Sequence, residues 1–296
     1  MSFLRGLFSK KSLLSKVAFL LSMVLLGLSI AIALSLLFLP LEGDLISLKI
    51  SQAIQTVFVF LFPSFVCAYL FSEKTSSFLS FCQTEITQYL LAILLIICLI
   101  PAVGALAEIN EALVLPDFLS EVELWMKQTE AKAMMLTQQF LSDTSASGLS
   151  VNIFVMALLP AFAEEVLFRG VLQRIFAEKF GIHWGIWISA FLFSFVHFQF
   201  YGFVPRMFLG AILGYIVYYS GSIFPAIFAH FINNLISVLA TYFFGMEMLQ
   251  NSGYLEQKML WVVLVSLIAS GAILFLMRWI SRNEDYKIVR DKNRQE

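Results

Sequence analysis

Three short stretches in the second half of the chain hold side chains able to do chemistry. "EEVLFR" supplies Glu164, Glu165 and Arg169; "FSFVH" supplies Phe193 and His197; "HFINN" supplies His230, Asn233 and Asn234. A carboxylate beside imidazoles can take a proton from water and hand it to a leaving group. An imidazole and an amide on one helix face can donate hydrogen bonds to an oxygen on which charge develops.

Spacing separates the two glutamates. Glu165 and Arg169 are four apart with the acid first, so on a helix they pair along one face and lower each other's cost of burial. Glu164 points about 100° away and needs a partner from another segment, with His197 or His230 as candidates. His230 and Asn234, also four apart, share a face. Phe193, four before His197, would cover the same face and shield it from lipid. Any one of these residues alone reads as an interhelical hydrogen bond; together they read as a site. His183, beside Gly181, reads as an ordinary turn residue.

These groups sit in a chain that is 60% hydrophobic and 13% charged over 296 residues, with a mean hydropathy of +0.86. That belongs in a bilayer. Buried ionisable groups are costly there, so the few spans that contain them are candidates for function. A net charge of -1 leaves no excess of basic groups to neutralise phosphates, which argues against a nucleic-acid partner. Cys67, Cys82 and Cys98 lack metal-binding spacing and predict neither a disulfide framework nor a thiol nucleophile.

Apolar runs of near-spanning length predict an all-α polytopic membrane protein with about eight transmembrane helices. They fall near 17–38, 50–72, 86–107, 151–176, 184–200, 204–220, 223–244 and 259–279. The first follows Arg5, Lys10, Lys11 and Lys16 in the manner of a signal peptide, but its length and the lack of a small-residue cleavage site predict a retained anchor. The first 16 residues carry four basic groups and no acidic one, and six basic groups run from Arg278 onward. Both termini are therefore expected in the cytoplasm of a cell-membrane protein, with 108–150 outside and 177–183 inside.

The outer segment holds seven acidic residues against Lys127 and Lys132. Ser120 and Glu123 have capping-box spacing, and Leu119, Val122, Met126, Ala133, Leu136 and Phe140 recur at helical intervals, so 119–141 reads as an amphipathic surface helix packed on its neighbours. Gly210 and Gly214 read as a close helix contact. No repeat divides the chain, which reads as one membrane domain over 1–296. At 1.5 Å per residue, Glu164 stands about 22 Å above Lys179, and His197 about 21 Å above His183. On the same scale His230 and Asn234 stand about 15 and 21 Å above Ser220. Spans four, five and seven thus bring their polar groups to one layer.

EExxxR, FxxxH and HxxxN, in this order on successive apolar segments, resemble the CPBP family of intramembrane proteases, which includes type II CAAX prenyl endopeptidases and bacteriocin-processing proteins. The resemblance covers 150–240, the expected protease core. It implies hydrolysis of a peptide bond in a membrane-associated peptide or protein. Glu164 and His197 would activate water, His230 and Asn234 would hold the oxyanion, and Glu165 and Arg169 match the remaining positions, with a structural part. A zinc site on Glu164, His197 and His230 is the alternative to a metal-free mechanism. The absence of HExxH and the amide of Asn234, a poor zinc ligand, favour no metal. A transporter or proton relay built on buried Glu and His, or a silent membrane scaffold, are the competing classes; a transporter would predict inverted repeats, which the sequence lacks.

Overall fold

The computed structural model describes residues 4–38, 44–245, 256 and 259–281, and these form helices and connecting turns with no strand. That is what lipid demands of a chain this apolar, because a helix satisfies its backbone groups within one segment. We label the helices α1 (Leu13–Phe38), α2 (Leu45–Phe71), α3 (Ile86–Glu111), α4 (Ser120–Leu141), α5 (Ala146–Phe180), α6 (Ile182–Phe195), α7 (Phe203–Ser220), α8 (Phe224–Phe244) and α9 (Leu260–Ile280). Among the described residues, seven helices are long and apolar enough to cross a membrane. The protein is a multi-pass integral membrane protein.

The eight expected spans all appear as helices, but the fifth is shorter than the apolar run suggests. Helix α6 has 14 residues and stops at Phe195, a rise of about 21 Å against a hydrocarbon core of about 30 Å. His197 therefore lies on a turn beyond the helix, not within it. Helix α5 runs longer than expected, through 35 residues.

Three stretches inside the spans are wound as π-helix: Val57–Leu61, Ile153–Leu158 and Val166–Leu172. Pro63 and Pro160 follow the first two closely. A proline removes one backbone donor and pushes away the carbonyl a turn before it, and a wider turn relieves that clash. The third has no such proline and contains the buried Arg169. At the start of α4, the 3-10 turn Asp117–Leu119 leads straight into the helix, so Ser120 is already helical and caps nothing. Glu123 pairs instead with Lys127 at 2.6 Å.

Contacts between loops sort the chain ends into two faces. On one, Lys16 bonds Glu178 at 2.8 Å, Arg174 donates to the carbonyls of Ser77 and Phe78, and Thr84 donates to the Ser220 carbonyl. On the other, Asn110 meets Phe200 and Val204, and Tyr242 donates to the Thr144 carbonyl. This is the alternation that eight crossings require. The tail beyond Ser281, with most of the basic groups expected to mark its side, lies outside the described residues.

The interior is apolar, with Leu79, Leu95, Phe168, Leu213, Ile216 and Ile223 among its most buried side chains. Leu25, Leu36, Trp261, Ile268 and Phe275 point outward, a pattern suited to acyl chains. Gly210 and Gly214 do mark a close contact: a methyl group at Gly214 would stand 2.7 Å from Gln173 Oε1 and 2.9 Å from Ile186. No disulfide joins Cys67, Cys82 or Cys98.

Candidate active site

Helix α5 carries Glu164 and Glu165 near its middle, and α8 brings His230 against both. Arg169 Nη1 donates to Glu165 Oε1 at 2.7 Å, with the two side chains 1% and 0% exposed. The pairing expected from their spacing is present. His230 Nδ1 donates to the same oxygen at 2.9 Å, a contact the sequence did not announce. Its other ring nitrogen, Nε2, faces Glu164 Oε2 at 3.8 Å. Glu165 thus joins two helices through one oxygen, while Oε2 has no hydrogen-bond partner among the described residues. Arg169 is held further by its donation to the Gly210 carbonyl at 2.9 Å and by the Phe193 ring, 4.7 Å from its guanidinium carbon. Gly210 serves there as a hydrogen-bond acceptor besides permitting close packing.

His197 owes its place to the break in α6. Its Nδ1 donates to the Phe193 carbonyl at 2.7 Å, and since a carbonyl only accepts, that bond leaves Nε2 as the acceptor of the neutral ring. Phe198 then takes φ +53, a costly backbone conformation for a bulky residue and one that tertiary contacts must hold. Three residues do so. Asn110 on α3 donates to the Phe200 carbonyl at 2.9 Å and accepts from the Val204 amide at 2.8 Å. Arg206 donates to the Gln199 side-chain oxygen at 2.8 Å and to its carbonyl at 3.3 Å. Ser194 donates to the Phe203 carbonyl at 2.7 Å. Asn110 and Arg206 were missed as contributors to the site; a polar residue near the end of each helix was the only signal.

Phe193, 3% exposed, packs its ring against both histidines, with centroids 5.0 Å from His197 and 5.9 Å from His230. It separates the two imidazoles. Asn233 donates to Asn234 Oδ1 at 3.2 Å, leaving the Asn234 amino group as a donor. Away from the site, His183 bonds the Tyr215 hydroxyl at 3.0 Å.

Glu164, His197, His230 and Asn234 all line one cavity of about 860 Å³. Lys132, Ala133, Leu136, Thr137 and Phe140 of α4 line it as well. The amphipathic helix therefore roofs the site, where its sequence pattern had suggested no more than packing on neighbours. The cause lies in its apolar stripe: Ala133, Leu136 and Phe140, spaced at three and four, face the cavity together.

A zinc ion does not fit the side chains as placed. Among the described residues, no three of His, Cys, Asp and Glu converge as a ligand set, and Asn234 offers an amide that zinc binds poorly.

Against known proteins, residues 146–236 match the Rce1-like family, described as type II CAAX prenyl endopeptidases. The chain carries an Rce1-like segment. The curated proteins include the uncharacterized protein YpbD of Bacillus subtilis (strain 168), 35% identical over 85 residues, which are 27% of this chain and 41% of that one. The chain thus spans less than half the length of that relative. No solved structure matches. The Rce1-like segment contains every residue singled out in the three stretches, whereas Gln52, Asn110 and the roof α4 lie before it.

Proposed function

We propose that this protein is an intramembrane endopeptidase that hydrolyses a peptide bond of a membrane-associated peptide or protein, using water activated by Glu164 and His197. The observation that carries this reading is the convergence of one carboxylate, two oriented imidazoles and one amide donor on a single cavity. The Rce1-like match supports the reaction class.

In this mechanism Glu164 takes a proton from water, with His197 Nε2 as a second acceptor holding the water, and the oxygen bonds to the scissile carbonyl carbon. The oxyanion receives hydrogen bonds from His230 Nε2 and the Asn234 amino group. When the tetrahedral intermediate collapses, the C–N bond breaks and Glu164 returns its proton to the leaving amine.

The bond to Glu165 sets a condition on His230. Because Nδ1 already donates to a carboxylate, Nε2 can donate only if the ring is an imidazolium. Two carboxylates, one guanidinium and one imidazolium then sum to zero. That neutrality survives the first step, since protonation of Glu164 removes a negative charge as the oxyanion gains one. A buried cluster whose net charge does not change avoids the large penalty of an uncompensated charge.

A proton relay would require a polar route on both sides of Glu164. On the side away from the cavity the buried polar groups Arg169 and Gln173 are tied to the Gly210 and Gly214 carbonyls and set among Phe168, Val171, Leu213 and Ile216, so no observation favours that class. The test is cleavage of a pool of acylated fluorogenic peptides by the purified protein in detergent. Wild type should cleave and Glu164→Gln should not. Failure of folded wild type to cleave any peptide, or equal rates from the two proteins, would remove the proposal.

A further inference from the structure

The cavity is one-sided, and its floor is the polar layer itself. On α5 no lining residue lies beyond Glu164; on α6 none precedes Phe193; on α7 none follows Leu209; on α8 none precedes His230. On α2 the lining stops at Gln52 and on α3 it begins at Val103. Every one of these limits points the same way. The space extends from the reactive groups toward the face that holds Asn110, Thr144 and Tyr242, and it ends beneath α4. Toward the opposite face, which holds Lys16, Arg174 and Glu178, tightly buried apolar side chains close it. Polar groups from Gln52, Lys132, Thr137, Gln199 and Thr241 line the open side, a route on which water can reach Glu164.

Charge assigns the two faces. The closed side carries the four basic groups of the first 16 residues, whereas the segment above the open side has seven acidic groups and two lysines. By the positive-inside rule the closed side is cytoplasmic. From the one-sided cavity and this charge asymmetry, we infer that substrate and water reach the site from the extracytoplasmic side, so that its substrates are membrane-associated peptides or membrane-protein segments exposed on that side rather than cytoplasmic tails. This inference rests on the endopeptidase reading for the word substrate, but the side on which the cavity opens stands apart from it.

Helix α4 then acts as the selecting element. An extended peptide must pass between its stripe of Ala133, Leu136 and Phe140 and the outer halves of α5 and α8. Access from the cytoplasm would require displacing Phe168 and Leu213 from the core.

Two measurements test the inference. In a Cys82→Ser background, Thr137→Cys at the cavity and Ser77→Cys on the opposite face are treated with a membrane-impermeant maleimide on intact bacterial cells. Thr137→Cys should label at once and Ser77→Cys only after permeabilisation; the reverse pattern overturns the inference. In parallel, the acylated peptide pool is supplied to intact cells and to sealed inverted vesicles, with Glu164→Gln as the blank. Cleavage should occur on cells and be lost in sealed inverted vesicles until detergent is added. Cleavage in detergent and in sealed inverted vesicles, with none on cells, overturns the side of access but leaves the endopeptidase reading standing. Absence of cleavage in detergent defeats that reading and the substrate statement with it, while the labelling still decides where the cavity opens.

Discussion

Replacing Glu165 by Gln removes one negative charge and almost no volume from the centre of the site. Arg169, 1% exposed, has no other anionic partner at bonding distance among the described residues: it also donates to the Gly210 carbonyl and lies over the Phe193 ring. Removing one member of such a buried pair costs about 3 to 5 kcal/mol, which for a chain of this size lowers the melting temperature by on the order of 10 °C. The Gln oxygen still accepts from His230, so the ring keeps its orientation, but one of the two negative charges facing that ring is gone. Turnover should fall as it does on loss of one oxyanion donor, by about 10²- to 10³-fold. Glu164→Gln should behave differently, because Glu164 faces His230 at 3.8 Å, beyond hydrogen-bond reach, and its loss leaves the bonds of Glu165 to Arg169 and His230 intact. It should melt less far below wild type than Glu165→Gln and lose turnover outright. The assay is a thermal scan in detergent beside single-turnover cleavage of the peptide pool. A Glu165→Gln protein as stable and as active as wild type would refute both the ion-pair argument and the protonation argument.

The other expectations concern single groups. His230→Ala and Asn234→Ala should each lower kcat by about 10²- to 10³-fold with a smaller effect on KM, read by steady-state cleavage, because they act on charge that develops in the transition state. Treating active protein with chelator should leave its rate unchanged; loss of activity restored by stoichiometric zinc would overturn the metal-free mechanism. Burial pushes the Glu130 carboxyl of α4 above the ordinary value of 4.5, against the Arg206 guanidinium. A helix that holds this proton more tightly when docked is docked best below pH 4.5 and more weakly as pH rises above it. Hydrogen-exchange protection factors of α4 should fall in that direction in wild type and stay level in Glu130→Gln.

Local spacing made part of the site legible. The pair Glu165 and Arg169 follows from an interval of four, and rise per residue brought Glu164, His197 and His230 to one depth. Spacing within a helix says nothing about which faces of two helices meet, so the bond from His230 to Glu165 was hidden, and with it the charge state that His230 needs. The early end of α6 was hidden for another reason. Residues 196 to 200, Val-His-Phe-Gln-Phe, contain no proline or glycine, and the apolar run continues through them. The helix stops because Asn110, Arg206 and Ser194 bind the following turn, and two of those residues belong to other helices. The roof by α4 was half visible: its stripe announced an apolar contact, but not that the contact was a cavity.

The widened turn of Val166–Leu172 gives this part of α5 a property that an ordinary helical turn lacks. In an ordinary membrane helix, loss of one residue swings everything after it about a quarter turn around the axis and carries each side chain to a new neighbour. A π turn is an α turn with a residue to spare. Losing one there tightens the winding and returns both flanks to their former azimuths, so Gln173 and Arg174 could keep their bonds to Gly214, Ser77 and Phe78 while Glu164 stayed in the cavity. Like Ile153–Leu158 earlier in the same helix, this is a place where the protein can change length without changing shape, and here the surplus residue is stored one step from the glutamates.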